Sequence, residues 1–272
     1  MTTAHHVMDI DTVSAGFGPL VGDYRGSDLT RAPLVLLHGL TMDRRVWTPV
    51  LEHLWTIDPS RRVLALDLPA HGQSPAAGSY HLEDVADSIH HAVMAAGLTE
   101  PLLVGHSISA VLATLYAARF PARGVVNVDQ PLDVAPFAAA VRGVADQLRG
   151  PGFDATFARI TAGWGTDLLS LPARHLLAGT VRPQQEVVLG YWDELLTGPA
   201  DGPTTLMSAT IAALRTNRTS YDLVSGSELD PAYRAWLCDL LPQARVVEWP
   251  GNGHFPFLGR PREFAALLAA VS

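Results

Sequence analysis

The chain has 272 residues, 48% hydrophobic and 17% charged, which provides for a large buried core and leaves too little charge for a disordered protein. Its net charge of −8, with arginines scattered rather than gathered in a stripe, speaks against nucleic acid as a partner. No apolar run reaches the length of a membrane span, and Met1 to Asp9 lacks the basic start and apolar centre of a secretory signal, so a soluble cytoplasmic protein with no membrane partner is expected.

In chain order, residues 6–14 and 19–25 read as an opening pair of strands. Pro33 to Gly39 and Arg62 to Pro69 are continuous apolar strands, with a helical stretch around Trp47 to Leu54 between them. Leu82, Val85, Ala86, Ile89 and Val93 recur at helix-face spacing. A strand over 101–105, a helix over 107–120 and a strand over 123–129 follow. Strands apolar on both faces, separated by helices, predict a mostly parallel central sheet flanked by helices. The rhythm breaks after Pro131, where only helix-like segments appear: Val134 to Leu148, Phe153 to Trp164, Ser170 to Leu177 and Gln184 to Thr197, with 198–203 a loop. It resumes with a strand over 221–226, a helix from Asp230 to Leu241, a strand over 244–249 and a closing helix from Pro261 to Val271. The expected organisation is one α/β domain, residues 1–130 and 219–272, interrupted by a helical insertion at 131–218. The pairs Arg44-Arg45 and Arg61-Arg62 read as solvated charges. The single cysteine, Cys238, cannot form an internal disulfide and reads as a small buried side chain within a helix.

The chemistry centres on Gly105-His-Ser107-Ile-Ser109, where a strand turns directly into a helix with a serine at the apex, the arrangement of a nucleophile elbow. The tight turn requires small residues two before and two after the serine; Gly105 meets this fully, and Ser109 stands where a second glycine is usual. Taken alone, Ser107 serves equally well as a helix N-cap. The Ser109 hydroxyl is expected to bond back to the backbone. His254 lies in a glycine-flanked loop after the last apolar strand, from which an imidazole reaches a serine at the end of another strand and acts as general base. The pairs His5-His6 and His90-His91 cannot share a face, and His71 and His106 sit beside rather than opposite the serine. No H-E-x-x-H or paired-cysteine spacing is present, so no metal is expected.

The order of four motifs resembles the α/β-hydrolase fold with a helical cap, over nearly the whole chain. They are His38-Gly39 after the third strand, Asp67-Leu-Pro-Ala-His-Gly-Gln-Ser74 after the fourth, the elbow at Ser107, and Gly251-Asn-Gly-His-Phe-Pro256 after the last. The resemblance implies a nucleophile at Ser107, a base at His254 and an oxyanion hole from the backbone N–H groups of Leu40 and Ile108. It leaves the triad acid open. In most members the acid follows the penultimate strand, where Glu228 and Asp230 flank Leu229 here, and Asp230 before Pro231 has the look of a helix cap. A minority place it after the strand that follows the elbow helix, where Asp129 stands. Asp129 is ranked first, Asp230 second and Glu228 third.

The large side chains of the insertion (Phe137, Phe153, Phe157, Trp164, Tyr191, Trp192 and Met207) would supply both its own core and a substrate roof, with Trp164, Tyr191, Trp192 and also Phe255 expected in the substrate site. The implied activity is a serine hydrolase cleaving a carboxylic ester or lactone of a small, largely apolar substrate through an acyl-enzyme, with no cofactor. Perhydrolases resembling cofactor-free haloperoxidases and carbon–carbon bond hydrolases share the triad and remain alternatives, as does a non-catalytic small-molecule receptor on the same fold. Relatives with an aspartate nucleophile are disfavoured by a serine at the apex.

Overall fold

The computed structural model describes residues 12–271. Its strands are β1 (Val13–Phe17), β2 (Leu20–Arg25), β3 (Leu34–Leu37), β4 (Val63–Leu66), β5 (Leu102–His106), β6 (Gly124–Val128), β7 (Ser220–Ser225) and β8 (Ala244–Glu248). Of these, β3 to β6 are buried at every position, which is why their sequences carry no polar alternation. They form one eight-stranded sheet in the order β1-β2-β4-β3-β5-β6-β7-β8. Pairing is parallel from β4 to β8, and β1 and β2 join antiparallel at one edge.

Helices α1 (Thr48–Ile57), α2 (Leu82–Ala95) and α3 (Ile108–Arg119) make the first crossovers. Between β6 and β7 there is no strand but a run of helices: α4 (Ala135–Gly143), α5 (Ala145–Arg149), α6 (Phe153–Thr161), α7 (Leu171–Thr180), α8 (Gln185–Tyr191), α9 (Asp193–Leu196) and α10 (Gly202–Asn217). The chain closes with α11 (Pro231–Leu240), α12 (Pro256–Gly259) and α13 (Pro261–Ala270). One apolar core gathers α2, α3 and α10 against one face of the sheet, and a second gathers α1, α12 and α13 against the other. The mostly parallel sheet with helices on both faces is the fold class the alternating pattern predicts.

Four local expectations need correction. The first strand runs over 13–17 rather than 6–14, because a Gly18-Pro19 turn sets the hairpin register at Phe17 opposite Leu20; residues 6–11 lie outside the described residues. The arginine pairs are not solvated as pairs. Arg44 is buried on Asp67 and Asp23, Arg61 is fully buried with Nη2 3.0 Å from Val271 O, and Arg62 donates to Asp28 O at 2.8 Å; only Arg45 is exposed. Cys238 is exposed, because α11 turns Leu237 inward and leaves Pro231, Ala235 and Cys238 on its outer stripe. The sixteen residues of α10 form a helix where none was named. Its Gly202-Pro203 start reads as a breaker, yet proline at the first turn of a helix costs no hydrogen bond.

Candidate active site

In an open parallel sheet, ligands bind where neighbouring strands send their connections to opposite sides. Here β3 lies between β4 and β5, so the switch point falls between β3 and β5. The loop after β3 carries His38-Gly39-Leu40, and Ser107 follows directly on β5. The backbone of Ser107 has φ 56° and ψ −132°, a conformation an L-residue adopts only under constraint. Several bonds impose it. Ser107 N donates to Val128 O of β6 at 3.1 Å, and Ser107 O accepts Ala110 N at 2.7 Å. Gly105 is obligatory, since a methyl group there would sit 2.1 Å from Ser109 O. Ser109 fits because its hydroxyl is buried and donates to His38 O, tying the elbow to the end of β3 rather than to its own helix.

Asp129 follows β6, also at positive φ (57°), with its N–H on Val224 O at 2.9 Å. Its Oδ1 accepts from Gly226 N at 2.8 Å and Ser225 Oγ at 3.1 Å, and Oδ2 lies 2.9 Å from His254 Nδ1. Both carboxylate oxygens are therefore committed, which fixes the group against the imidazole. The approach depends on Gly226, where a methyl group would lie 1.8 Å from Gly253 O. His254 is held by its backbone as well: its N–H donates to Trp164 O at 2.8 Å, and its carbonyl accepts from His106 Nε2 at 2.8 Å. With Nδ1 donating to a carboxylate, the neutral tautomer that fits carries its lone pair on Nε2, which is buried with no hydrogen-bond partner. The other carboxylates stand elsewhere. Asp230 caps α11, accepting from Ala232 N at 2.7 Å and Tyr233 N at 3.2 Å, and Glu228 is exposed.

Ser107, Asp129 and His254 line one cavity of about 880 Å³, together with Leu40 and Ile108. Of the side chains expected in a substrate site, Trp164, Tyr191 and Trp192 line it, along with Phe137 and Met207. Phe153 and Phe157 stack on each other instead, in the core of the helical segment. Phe255 does not line the cavity. It is 1% exposed and packs behind His254 against His106 and Trp164, because Pro256 opens α12 and carries the chain back into the second core. Sequence reasoning missed Leu82 and Glu83 at the start of α2, Tyr233 on α11, and Thr197, Pro199, Pro203 and Leu206 around the start of α10, all of which line the cavity. No local motif marks them, since their role comes from where α10 docks. The lining includes Glu83, Asp133, Asp193 and Glu194 but no lysine or arginine. Among the described residues, no group of three or more His, Cys, Asp or Glu side chains is placed to hold a metal ion, and no helix is long and apolar enough to cross a membrane.

An eight-stranded sheet of this order with a strained serine at its switch point defines an α/β-hydrolase fold. Residues 34–267 match the alpha/beta hydrolase family, and the chain belongs to that family. It is 28% identical over 251 residues to the pimeloyl-(acyl-carrier protein) methyl ester esterase of Yersinia pseudotuberculosis, covering 86% of this chain and 91% of the relative. Two solved structures share its fold at low sequence identity. The haloalkane dehalogenase DatA of Agrobacterium tumefaciens aligns at TM-score 0.69 and 20% identity over 96% of this chain and 95% of that one. A variant of the N-acyl homoserine lactonase AidH in complex with N-hexanoyl homoserine aligns at TM-score 0.67 and 21% identity, again over 96% and 95%.

Proposed function

We propose that this protein is a serine hydrolase that cleaves a carboxylic ester or lactone of a small, largely apolar and uncharged substrate through an acyl-enzyme. The observation that carries this reading is the 2.9 Å contact of His254 Nδ1 with Asp129 Oδ2, in the cavity that holds Ser107 at a strained apex. Ser107 Oγ attacks the carbonyl carbon while His254 Nε2 takes its proton; Asp129 keeps the imidazole in the right tautomer and stabilises the imidazolium. The developing oxyanion is held by the N–H groups of Leu40 and Ile108, the second at the N-terminus of α3. The alkoxide then leaves with the proton from His254, and water, activated by the same nitrogen, releases the acid. No step needs a metal or cofactor.

Residues 131–218 act as a cap over residues 1–130 and 219–272, roofing the cavity with Trp164, Tyr191, Trp192 and Met207. The methyl ester esterase relative supports ester cleavage in general. The lining here, with four carboxylates besides Asp129 and no lysine or arginine, disfavours anionic acyl groups and phosphate-bearing carriers, so an uncharged ester or lactone suits this chain better. A serine at the apex also separates it from hydrolases with an aspartate nucleophile. A fluorophosphonate probe tests the reading. Covalent labelling lost in Ser107→Ala is expected, with turnover on a panel of short esters and lactones; a folded wild type that neither labels nor turns over would make the protein a binder instead.

A further inference from the structure

Two buried histidines near the cavity, His38 and His71, take no part in the reaction just described. Leu68 N donates to His38 Nε2 at 3.0 Å, so the ring proton sits on Nδ1 and is donated to Gly39 O at 2.8 Å. Met42 N places a second hydrogen bond on that oxygen at 3.1 Å. His71 is wired in the complementary way. Its Nε2 accepts from Thr41 N at 3.0 Å, and Nδ1 donates to Pro69 O at 2.9 Å. The two rings pack together with centroids 5.1 Å apart. The helical segment adds a brace, as Tyr191 donates to Pro69 O at 3.1 Å and sets its ring edge-on to His71 at 5.4 Å.

The oxygen of Gly39 and the N–H of Leu40 belong to one planar peptide unit, so fixing the oxygen fixes the direction of the N–H. Hydrogen bonds to that oxygen also polarise the unit and strengthen the N–H as a donor. The next peptide unit ends in Thr41 N, and Thr41 sits at φ 69°, a strained position for a β-branched residue. Both peptide units of Leu40 are thus gripped, each by a neutral imidazole. We propose that His38 and His71 are positioning residues for the Leu40 oxyanion donor, holding its two flanking peptides from opposite ends. This rests on the serine-hydrolase reading above. Burial keeps both rings in the neutral form the clamp requires, pushing His38 down to about 4 and His71 to about 3.

The test compares His38→Leu and His71→Leu, which fill the space without polar atoms, with His38→Asn and His71→Gln. Asparagine keeps a donor near the Nδ1 position, and glutamine keeps an acceptor near Nε2. Each is assayed on a short-chain nitrophenyl ester for kcat and KM, and for affinity to an alkyl trifluoromethyl ketone, whose adduct with the serine carries an oxyanion. The leucine variants are expected to lose about 10–100-fold in kcat and in ketone affinity together, with KM moving by less than about threefold. The amide variants should recover most of both. Folded leucine variants with unchanged kcat, or with kcat reduced and ketone affinity kept, would overturn the clamp. If the leucine variants do not fold, the amide variants decide alone: near-wild-type kcat and ketone affinity support it, and a loss as large as that expected for leucine overturns it. An inactive, unlabelled wild type would remove the hydrolase reading and the clamp with it, whereas an active wild type with unaffected leucine variants removes the clamp only.

Discussion

The carboxyl edge of the sheet and the helical segment that covers it are built by different rules. At the edge, every candidate catalytic group is fixed by backbone: Ser107 N on Val128 O, Asp129 N on Val224 O, His254 N on Trp164 O. The segment from α4 to α10 meets that edge through a few polar contacts: Trp164 O with His254 N, Arg182 N with Thr41 O at 2.6 Å, Tyr191 with Pro69, and Glu194 Oε2 with Leu82 N at 3.0 Å. What else it presents to the cavity is mostly apolar surface, with Asp193, Glu194 and Thr197 the polar exceptions. On the proposed hydrolase reading, the edge has the rigidity a transition state demands, and the segment has the side-chain variety to select what enters. One contact blurs the division, because the Trp164 carbonyl helps to seat His254 itself.

The strongest way to break this contrast is at Asp129. Asp129→Asn leaves the shape intact but removes the charge that fixes the tautomer of His254, and kcat should fall about 10³–10⁴-fold with little change in KM. Steady-state kinetics on one ester checks it. A loss below about tenfold would mean that the edge is not organised for this chemistry. The segment should respond in the opposite sense. Phe137 is 38% exposed, lines the cavity and packs edge-on to Trp192. Phe137→Ala should raise KM for the preferred ester roughly tenfold and shift preference toward bulkier acyl groups, with kcat nearly unchanged. A variant that lost kcat instead would assign the segment a role in the chemical step.

The two regions were also unequally legible. Apolar runs that end in glycine or serine disclosed β3, β5 and the elbow, because a strand buried on both faces has one sequence signature and a parallel sheet sends all such ends to one edge. His254 was readable for the same reason. The partner of its Nδ1 was ranked but could not be fixed, since the Asp129 contact depends on Gly226 letting two loops meet backbone to backbone. In the segment, helical periodicity located most of the helices but not α10, whose Thr204, Thr205, Thr210 and Thr216 depress helix propensity while its docking against α3 sustains it. Phe255 misled because adjacency to a site histidine says nothing about which way the next side chain points. The arginines misled because burial follows partners such as Asp67, which are distant in sequence.

A gentler probe of the edge is acid. Burial pushes His38 and His71 down to about 4 and about 3, from an ordinary value of 6.5 that they regain in the unfolded chain. Between roughly pH 6.5 and 4 the unfolded state binds more protons than the folded one, so stability rises with pH across that window and is lost as pH falls through it. Thermal midpoints at pH 7, 5.5 and 4.5 should decline in that order. His71→Gln should flatten the decline, and an equally steep variant would show that other groups control it.

The smallest expected effect separates a position on the edge from a place in the site. Asp230 follows β7, as Asp129 follows β6, yet both described hydrogen bonds of its side chain come from the first turn of α11, through Oδ1. Asp230→Ala should cost about 1 kcal/mol of stability, the usual worth of an N-cap, and leave kcat and KM at wild-type values. Denaturant melts and kinetics on the same preparation measure both. If Asp230→Ala instead lowered kcat tenfold with its stability intact, the base would draw on a second carboxylate, and the contact between His254 and Asp129 would not be the whole of its orientation.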